Sequence, residues 1–517
     1  MGDATLTYLV LAAAVAMFAW GRVPTAIVAV GVALALWATG VLELEQALAG
    51  FGDPTVIFIA SLFVVSEGLD ATGVTAWAGQ RLIASAGESR TRLIVLTMAL
   101  AALLTALINV NGAVAALVPV AVVTALRLGR QPSQLLLPLA FGAHAGSLLA
   151  LTGTPVNVIV SEAAADAGAG RFGFFEFALV GVPLVVGSIA IVALLGERLL
   201  PARTARTPGR DFSGHARTLV RQYELDHPPD TLVTRRSGVA EVIVPPRSEL
   251  IGSAVFPGMV TDSGDLVVLA VQRAGEALGE TELAEGDVLL LRGTWGALDE
   301  QLEDPGVLVV DAPALVRRQA VPLGPGARRA LAVLAAMVLL LVTGAVPAAV
   351  AGLLAASAIV LLGLMSTEQA FRSVSWTTVV LVGGMISLST AMVESGAAAD
   401  LADALVDLVA GPHGLLLALF LLTAALGQVI SNMATALIVI PIALSAAADM
   451  DVSAEPVLMT VAVSAAAAFL TPVATPANLM VMGPGGYRFG DYWRLGLPLL
   501  VLFGLVAVLL VPLIWTL

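Results

Sequence analysis

Four clusters of neutral polar residues interrupt long apolar runs in this chain, and they fall into two matched pairs. Asn109, Asn111 and Gly112 answer to Ser431, Asn432 and Thr435, and Thr152-Gly153-Thr154-Pro155 with Asn157 answers to Thr471 and Thr475-Pro476 with Asn478. Amide and hydroxyl oxygens, with backbone carbonyls freed where a helix breaks, suit a hard cation such as sodium. Helix N-termini turned toward the same place suit an anion. No lysine occurs in the chain and no arginine lies in these clusters. An anion bound there must therefore lean on helix dipoles, amide donors and co-bound cations, each of which offsets charge that is costly in a membrane. The reading places Asn109, Asn111, Gly112, Thr154, Pro155, Asn157, Ser431, Asn432, Thr435, Thr475, Pro476 and Asn478 around a small anionic substrate. The cation would draw on Asn109, Thr152, Gly153, Thr154, Ser431, Asn432, Thr471 and Thr475. One such break serves helix packing as readily as binding; four in two matched pairs point to a site.

The elements that carry these clusters are themselves repeated. Glu45-Gln46-Ala47 returns as Glu368-Gln369-Ala370, Gly73 as Gly396 and Asn109 as Asn432, each 323 positions on (368−45, 396−73, 432−109). Phe174, Glu176, Gly181 and Pro183 return as Phe489, Asp491, Gly496 and Pro498. Two homologous apolar halves with matching interruptions are the pattern of a secondary transporter.

Composition agrees with a membrane protein. Of 517 residues, 58% are hydrophobic and 12% are charged, and a soluble globular chain carries about twice that charge. The net charge of −13 argues against nucleic acid as a partner. The absence of cysteine excludes disulfides and thiolate metal sites, and all 25 basic residues are arginine. There is no catalytic triad, nucleotide-binding glycine loop or zinc spacing, so an enzyme is not expected. Met1-Gly2-Asp3 lacks the basic start of a signal peptide.

Apolar runs fall near 5–21, 24–42, 54–72, 92–128, 134–167 and 177–198, and again near 329–344, 346–364, 376–394, 413–448, 456–484 and 492–516. The 92–128 and 413–448 runs carry polar residues at their middles and read as re-entrant hairpins of two half-length arms. The 134–167 and 456–484 runs read as broken spanning helices, tolerated where they line a cavity. The expected fold is an all-α polytopic membrane protein of two repeats. Each has five transmembrane helices plus one hairpin, so the second repeat is inverted. The stretches 74–86 and 397–409 read as interfacial helices. Arginine placement orients the whole. With the central segment inside, the inner loops carry Arg22, Arg81, Arg90, Arg92, Arg127, Arg130, Arg372, Arg488 and Arg494. Arg198, Arg203, Arg206, Arg317, Arg318, Arg328 and Arg329 flank the central segment. The outer loops carry acids such as Glu43, Asp53, Glu394, Asp400, Asp449 and Glu455, with Arg171 alone among the arginines. Both termini then face outside an inner membrane.

Residues 203–320 are richer in charge and proline, and Arg203 to Asp211 reads as a linker. Strands are expected at Val239–Val244, Asp265–Val271 and Asp287–Leu291. A short helix capped by Ser248 is expected over 249–254, and a closing helix from Trp295 to Leu302. Domain limits follow at 1–202, 203–320 (core 238–303) and 321–517. Glu241-Val242-Ile243-Val244-Pro245, Ser248-Glu249-Leu250-Ile251-Gly252 and Leu283 to Gly293 together resemble a TrkA-C (RCK C-terminal) domain. The resemblance implies a small α+β cytosolic regulatory module that dimerises and takes a small ligand or ion.

Ser431-Asn432 with Ala434-Thr435, leading to Pro441, and the pair Thr154-Pro155-Val156-Asn157 and Thr475-Pro476-Ala477-Asn478 resemble the divalent anion/sodium symporter family of the ion transporter superfamily. Met433 and the first tip, Ile108-Asn109-Val110-Asn111, depart from its Ser-Asn-Thr pattern. The resemblance implies two sodium sites flanking a dicarboxylate or sulfate, with Asn109 and Thr154 at the first and Ser431, Asn432 and Thr475 at the second. The first and second crossings of each half, 5–42 and 329–364, read as the scaffold and the interface of a homodimer. A sodium/proton antiporter or arsenite-type exporter of the same superfamily remains an alternative, as does a ligand-regulated channel. Neither hairpin carries the carboxylate an antiporter wants, and no Thr-Val-Gly-Tyr-Gly run exists for a filter. His144 and Glu67 stand apart from these clusters, His144 reading as a packed residue of the fifth crossing and Glu67 as a candidate proton carrier.

Overall fold

The computed structural model describes residues 2–75, 77–78, 81, 87, 89–201, 203, 215–223, 225, 228, 232–234, 237–302, 306–310, 324 and 326–517. Most of the 74–86 stretch and of the 203–211 linker, together with Arg206, Arg317 and Arg318, lies outside the described residues. By its internal contacts the chain divides into two units, one of 1–70, 81–208 and 328–517, the other of 71–80 and 209–327. Residues 71–80 thus group with the central segment, where Gly324 N–H donates to the Thr72 carbonyl at 2.9 Å.

The first unit is helical throughout. Its opening half runs α1 (Asp3–Trp20), α2 (Thr25–Ala38), α3 (Leu44–Ala49), α4 (Pro54–Ala71), α5 (Arg90–Leu107), α6 (Val110–Arg127), α7 (Ser133–Gly146), α8 (Pro155–Asp166) and α9 (Ala178–Leu199). Among the described residues of the chain, seven helical segments are long and apolar enough to cross a membrane, and four more apolar helices are shorter. The 92–128 run differs from the expected short hairpin arms. α5 and α6 have 18 residues each, about 27 Å at 1.5 Å per residue. The break costs little length because it is confined to Ile108 and Asn109.

The second unit opens with α10 (His215–Gln222), then β1 (Ser237–Ile243), β2 (Ala254–Val255), β3 (Leu266–Arg273), β4 (Glu276–Leu278), β5 (Thr281–Glu282), β6 (Val288–Thr294), α11 (Trp295–Gln301) and β7 (Leu308–Val309). Five strands pair in the order β4-β3-β6-β1-β7, and every pairing is antiparallel. Val242, Val268, Leu289 and Leu291 bury one face of the sheet with Trp295, while Val239, Ala270 and Leu290 bury the other with Leu219 and Tyr223. Burial on both faces explains why the strands at 288–291 read as a continuous apolar run rather than an alternating one. The helix expected over 249–254 is absent. Ser248 Oγ instead accepts from Leu250 N–H at 3.2 Å and donates to the Gly306 carbonyl, and Gly252 at φ 88° turns the chain into β2. A left-handed residue three positions in stops a helix, and glycine takes it without strain.

The later half of the first unit runs α12 (Ala327–Thr343), α13 (Ala348–Leu361), α14 (Thr367–Ser373), α15 (Trp376–Glu394), α16 (Ala397–Val406), α17 (Gly411–Gly427), α18 (Asn432–Asp449), α19 (Ala454–Ala466), α20 (Pro476–Gly485) and α21 (Tyr492–Leu505). A π turn at 506–510 carries α21 on to 514. Local features recur between the opening and later parts of the unit. α3 and α14 both begin with a capping box, Glu43 with Gln46 and Ser366 with Gln369, 323 positions apart (366−43). α16 meets α17 at 117°. Close backbone contacts also recur: a Cβ at Gly181 would collide with the Leu148 carbonyl, and one at Gly496 with the Phe469 carbonyl.

Candidate functional site

Four helices begin at one cavity. Asn109 caps α6, Thr154 caps α8, Ser431 caps α18 and Thr475 caps α20, and all four caps line the same space. Each cap accepts a backbone N–H. Asn109 Oδ1 takes Gly112 N–H at 2.8 Å, Thr154 Oγ1 takes Val156 N–H at 3.4 Å, Ser431 Oγ takes Ala434 N–H at 3.3 Å and Thr475 Oγ1 takes Asn478 N–H at 3.3 Å. Proline at the first helical position of α8 and α20 supplies the helical φ and has no N–H to orphan. Four positive dipole ends on an apolar-walled cavity make a field that favours an anion. The cavity holds about 110 Å³ of accessible space, several times the 10–15 Å³ or so that one water needs.

The first tip is strained. Asn109 has φ 144° and ψ 167°, a region otherwise left to glycine, and costs of order 1–3 kcal/mol. Two side-chain bonds hold it there, the one from Gly112 and one donated by Asn109 Nδ2 to Ser66 Oγ at 3.2 Å.

The two breaks are locked by the asparagines behind them. Asn157 Nδ2 donates to the Ser147 and Ala150 carbonyls at 2.8 and 2.9 Å. Asn478 Nδ2 donates to the Ala468 and Thr471 carbonyls at 2.8 and 3.0 Å. Both side chains are fully buried. They tie an unwound strand of backbone to the helix that follows, which satisfies carbonyls that the break would leave orphaned.

Of the residues picked from sequence, Asn109, Asn111, Gly153, Thr154, Pro155, Ser431, Asn432, Thr475 and Pro476 line the cavity together. Gly112, Thr152, Asn157, Thr435, Thr471 and Asn478 stand behind the lining. Thr152 Oγ1 donates to the Ala106 carbonyl at 2.9 Å and Thr471 Oγ1 to the Gln428 carbonyl at 3.0 Å, so both tether breaks to tips. Phe63, His144, Ser147 and Thr378 join the lining without having been picked. His144 is buried, with Nε2 3.1 Å from Thr475 Oγ1 and 3.2 Å from Asn478 Oδ1, and its ring meets Phe469 edge-on at 5.9 Å. Those partners lie 331 and 334 positions away, beyond the reach of any local pattern. Among the described residues, no carboxylate or arginine lines the cavity. Among the described residues, Asn432 Oδ1, Thr435 Oγ1 and Asn157 Oδ1 are buried without a hydrogen-bond partner.

Comparison with known proteins follows the geometry. A family model described as citrate transporter (CitMHS) matches residues 15–463 and 434–517. The chain is 31% identical over 613 residues to the uncharacterized transporter YfbS of Escherichia coli strain K12, covering 99% of each. It is 24% identical over 310 residues to sodium/sulfate cotransporter 1 of Chlamydomonas reinhardtii, covering 56% of this chain and 34% of that one. Among solved structures, the YdaH transporter of Alcanivorax borkumensis matches with a TM-score of 0.53 at 13% identity, over 97% of this chain and 99% of that one. That last likeness is one of fold alone.

Proposed function

The chain belongs to the citrate transporter family, as a multi-pass membrane transporter and not an enzyme, and from that premise we propose that it is a secondary active transporter of a small anion coupled to sodium. The substrate is sulfate or a small carboxylate such as a dicarboxylate. The observation that carries the reading is the meeting of four capped helix N-termini at one uncharged cavity. The matched family's description and the named sodium/sulfate relative support the substrate class.

Sodium fits the residues present. Asn432 Oδ1 and Thr435 Oγ1 are buried oxygens without a partner among the described residues, and a hard cation satisfies such atoms. Asn432 and Ser431 would hold it at the second tip, with Asn109 and Thr154 at the first. Its charge would offset that of the anion, which meets no arginine or lysine in the lining.

Alternating access follows if the halves are inverted repeats and the tips move against a scaffold of α1, α2, α12 and α13. The recurring capping, glycine and asparagine contacts support that arrangement. We place the sheet unit in the cytoplasm as a TrkA-C-like regulatory module that takes a small ligand, with a homodimer formed through the scaffold, on the arginine distribution and the sequence resemblance. An antiporter or arsenite-type exporter fits less well, because no carboxylate lines the cavity among the described residues. The test is uptake of labelled sulfate, succinate and citrate into proteoliposomes, with and without an inward sodium gradient, repeated on Asn432→Ala. Sodium-driven uptake of one of them that Asn432→Ala abolishes is the expected result. Uptake that ignores both the gradient and the substitution rejects sodium coupling.

A further inference from the structure

The two breaks share the same pair of asparagine-to-carbonyl bonds but differ in what faces the asparagine oxygen. His144 of α7 faces Thr475 and Asn478. The position at the 321-residue offset that relates Asn157 to Asn478 (478−157, 465−144) is Ala465 of α19, also in the cavity lining. There Asn157 Oδ1 goes without a partner, yet the Asn157 break keeps its two carbonyl bonds. The architecture of a break therefore does not require an imidazole.

The bonds fix the tautomer. Asn478 Nδ2 is committed to two carbonyls, so Asn478 Oδ1 faces His144 as an acceptor and Nε2 must carry hydrogen. Nδ1 has no hydrogen-bond partner among the described residues. His144 is also the one titratable side chain among the described cavity-lining residues. We infer that His144, as the imidazolium, donates from Nδ1–H to the transported anion and so adds the side-chain positive charge that the described lining otherwise lacks. This rests on the anion-transport reading and names a determinant of its affinity.

Charged groups on the neighbouring elements are remote or otherwise engaged. α5 runs beside α7, with Met98 against Gly142 and Ala102 against Gly146. Arg92 and Arg90 then sit about 12–15 Å along the axis from the level of His144. Glu455 on α19 is about 15 Å before Ala465, and Glu162 and Asp166 on α8 are about 12–18 Å beyond Thr154. Glu197 on α9 pairs with Arg90 at 2.8 Å, and Arg127 on α6, Glu394 on α15 and Asp449 on α18 lie at helix ends about 24 Å or more from the caps or lining residues of their own helices. α20 carries no charged residue. Tyr492 donates to the Asn478 carbonyl at 2.7 Å, and Glu67 and Asp70 of α4 have interactions of their own.

The test is binding of sulfate, succinate and citrate to the full chain in nanodiscs from pH 5.5 to 8. Wild type is compared with His144→Gln, whose amide can still donate to Asn478, and with His144→Asn. The ratio of variant to wild-type Kd cancels the titration of the anion itself. It is expected to rise about tenfold as pH falls across the range, the worth of one charge-assisted hydrogen bond. A ratio that stays flat while an anion binds overturns the role of His144 and leaves the transport reading standing. Binding of none of the anions by any of the three proteins removes both.

Discussion

Asn157 and Asn478, 321 positions apart, make the same pair of bonds: each amide reaches the carbonyls ten and seven residues behind it. Neither lines the cavity. They shape it by holding Thr154 and Thr475 at the starts of their helices. Asn478→Ala would leave the Ala468 and Thr471 carbonyls unpaired in a buried place, at about 2–4 kcal/mol for the two. Asn478→Asp should be no better, because a carboxylate cannot donate to a carbonyl. Thermal unfolding in detergent measures both, and wild-type stability in the aspartate variant would refute the donor assignment.

The polar tips and breaks were legible because helix interruptions in an apolar run have few causes, and Asn, Thr-Pro and Gly mark them directly. The paired helix starts were legible because Gln46 and Gln369 keep the same spacing from their caps. Tethers were less so: Thr152 and Thr471 read as cation oxygens, and nothing in the sequence showed that their hydroxyls also donate to backbone carbonyls near the tips. A hydroxyl's partner is set by tertiary packing, which a single sequence does not display. His144 was passed over for the same reason, since its partners come from the other half. The 249–254 helix failed because Gly252 imposes a left-handed turn there.

At Asn109 two effects oppose. Asn109→Gly relieves the φ 144° strain, worth about 1–3 kcal/mol, and glycine caps a helix almost as well as asparagine. Asn109→Ala keeps the strain and loses the cap. The glycine variant should therefore match or exceed wild type in thermal stability and the alanine variant fall below it by about 2 kcal/mol. Both should lose sodium-driven uptake if the side-chain oxygen serves the cation. Equal stability of the two variants would deny the strain.

Gly181 and Gly496 begin the last helices of their halves against the backbone of the preceding breaks. A methyl group at either position meets a carbonyl, which cannot swing aside as a side-chain end can. Gly181→Ala and Gly496→Ala should each destabilise by about 1–3 kcal/mol, the cost of overpacking, and displace the breaks they touch. Gly168→Ala is a useful contrast: nothing lies near its Cβ, though its φ of 78° carries a backbone penalty of its own. Monodisperse yield from fluorescence-detected size exclusion ranks the three, and full recovery of Gly496→Ala would contradict the packing seen there.

In the sheet unit, Asp287 is fully buried and takes both Arg273 nitrogens, Nε at 2.7 Å and Nη2 at 2.8 Å, with Ala284 N–H at 2.8 Å. The Arg273 guanidinium above all, with the Ala284 bond, holds its carboxyl below the usual aspartate range despite burial. A depressed carboxylate stabilises the fold above its unfolded value, near 4, and that contribution fades as pH drops through the lower folded value. Arg273 joins β3 to the turn before β6, so the loss should open those strands first. Full-length protein incubated between pH 3 and 7 and then pulse-labelled with deuterium at one fixed pH should show protection in 266–273 and 288–294 falling at the acid end. Asp287→Asn should lower that protection at neutral pH by about 2 kcal/mol and flatten its acid dependence. An unchanged acid profile in the asparagine variant would assign the transition to other carboxylates.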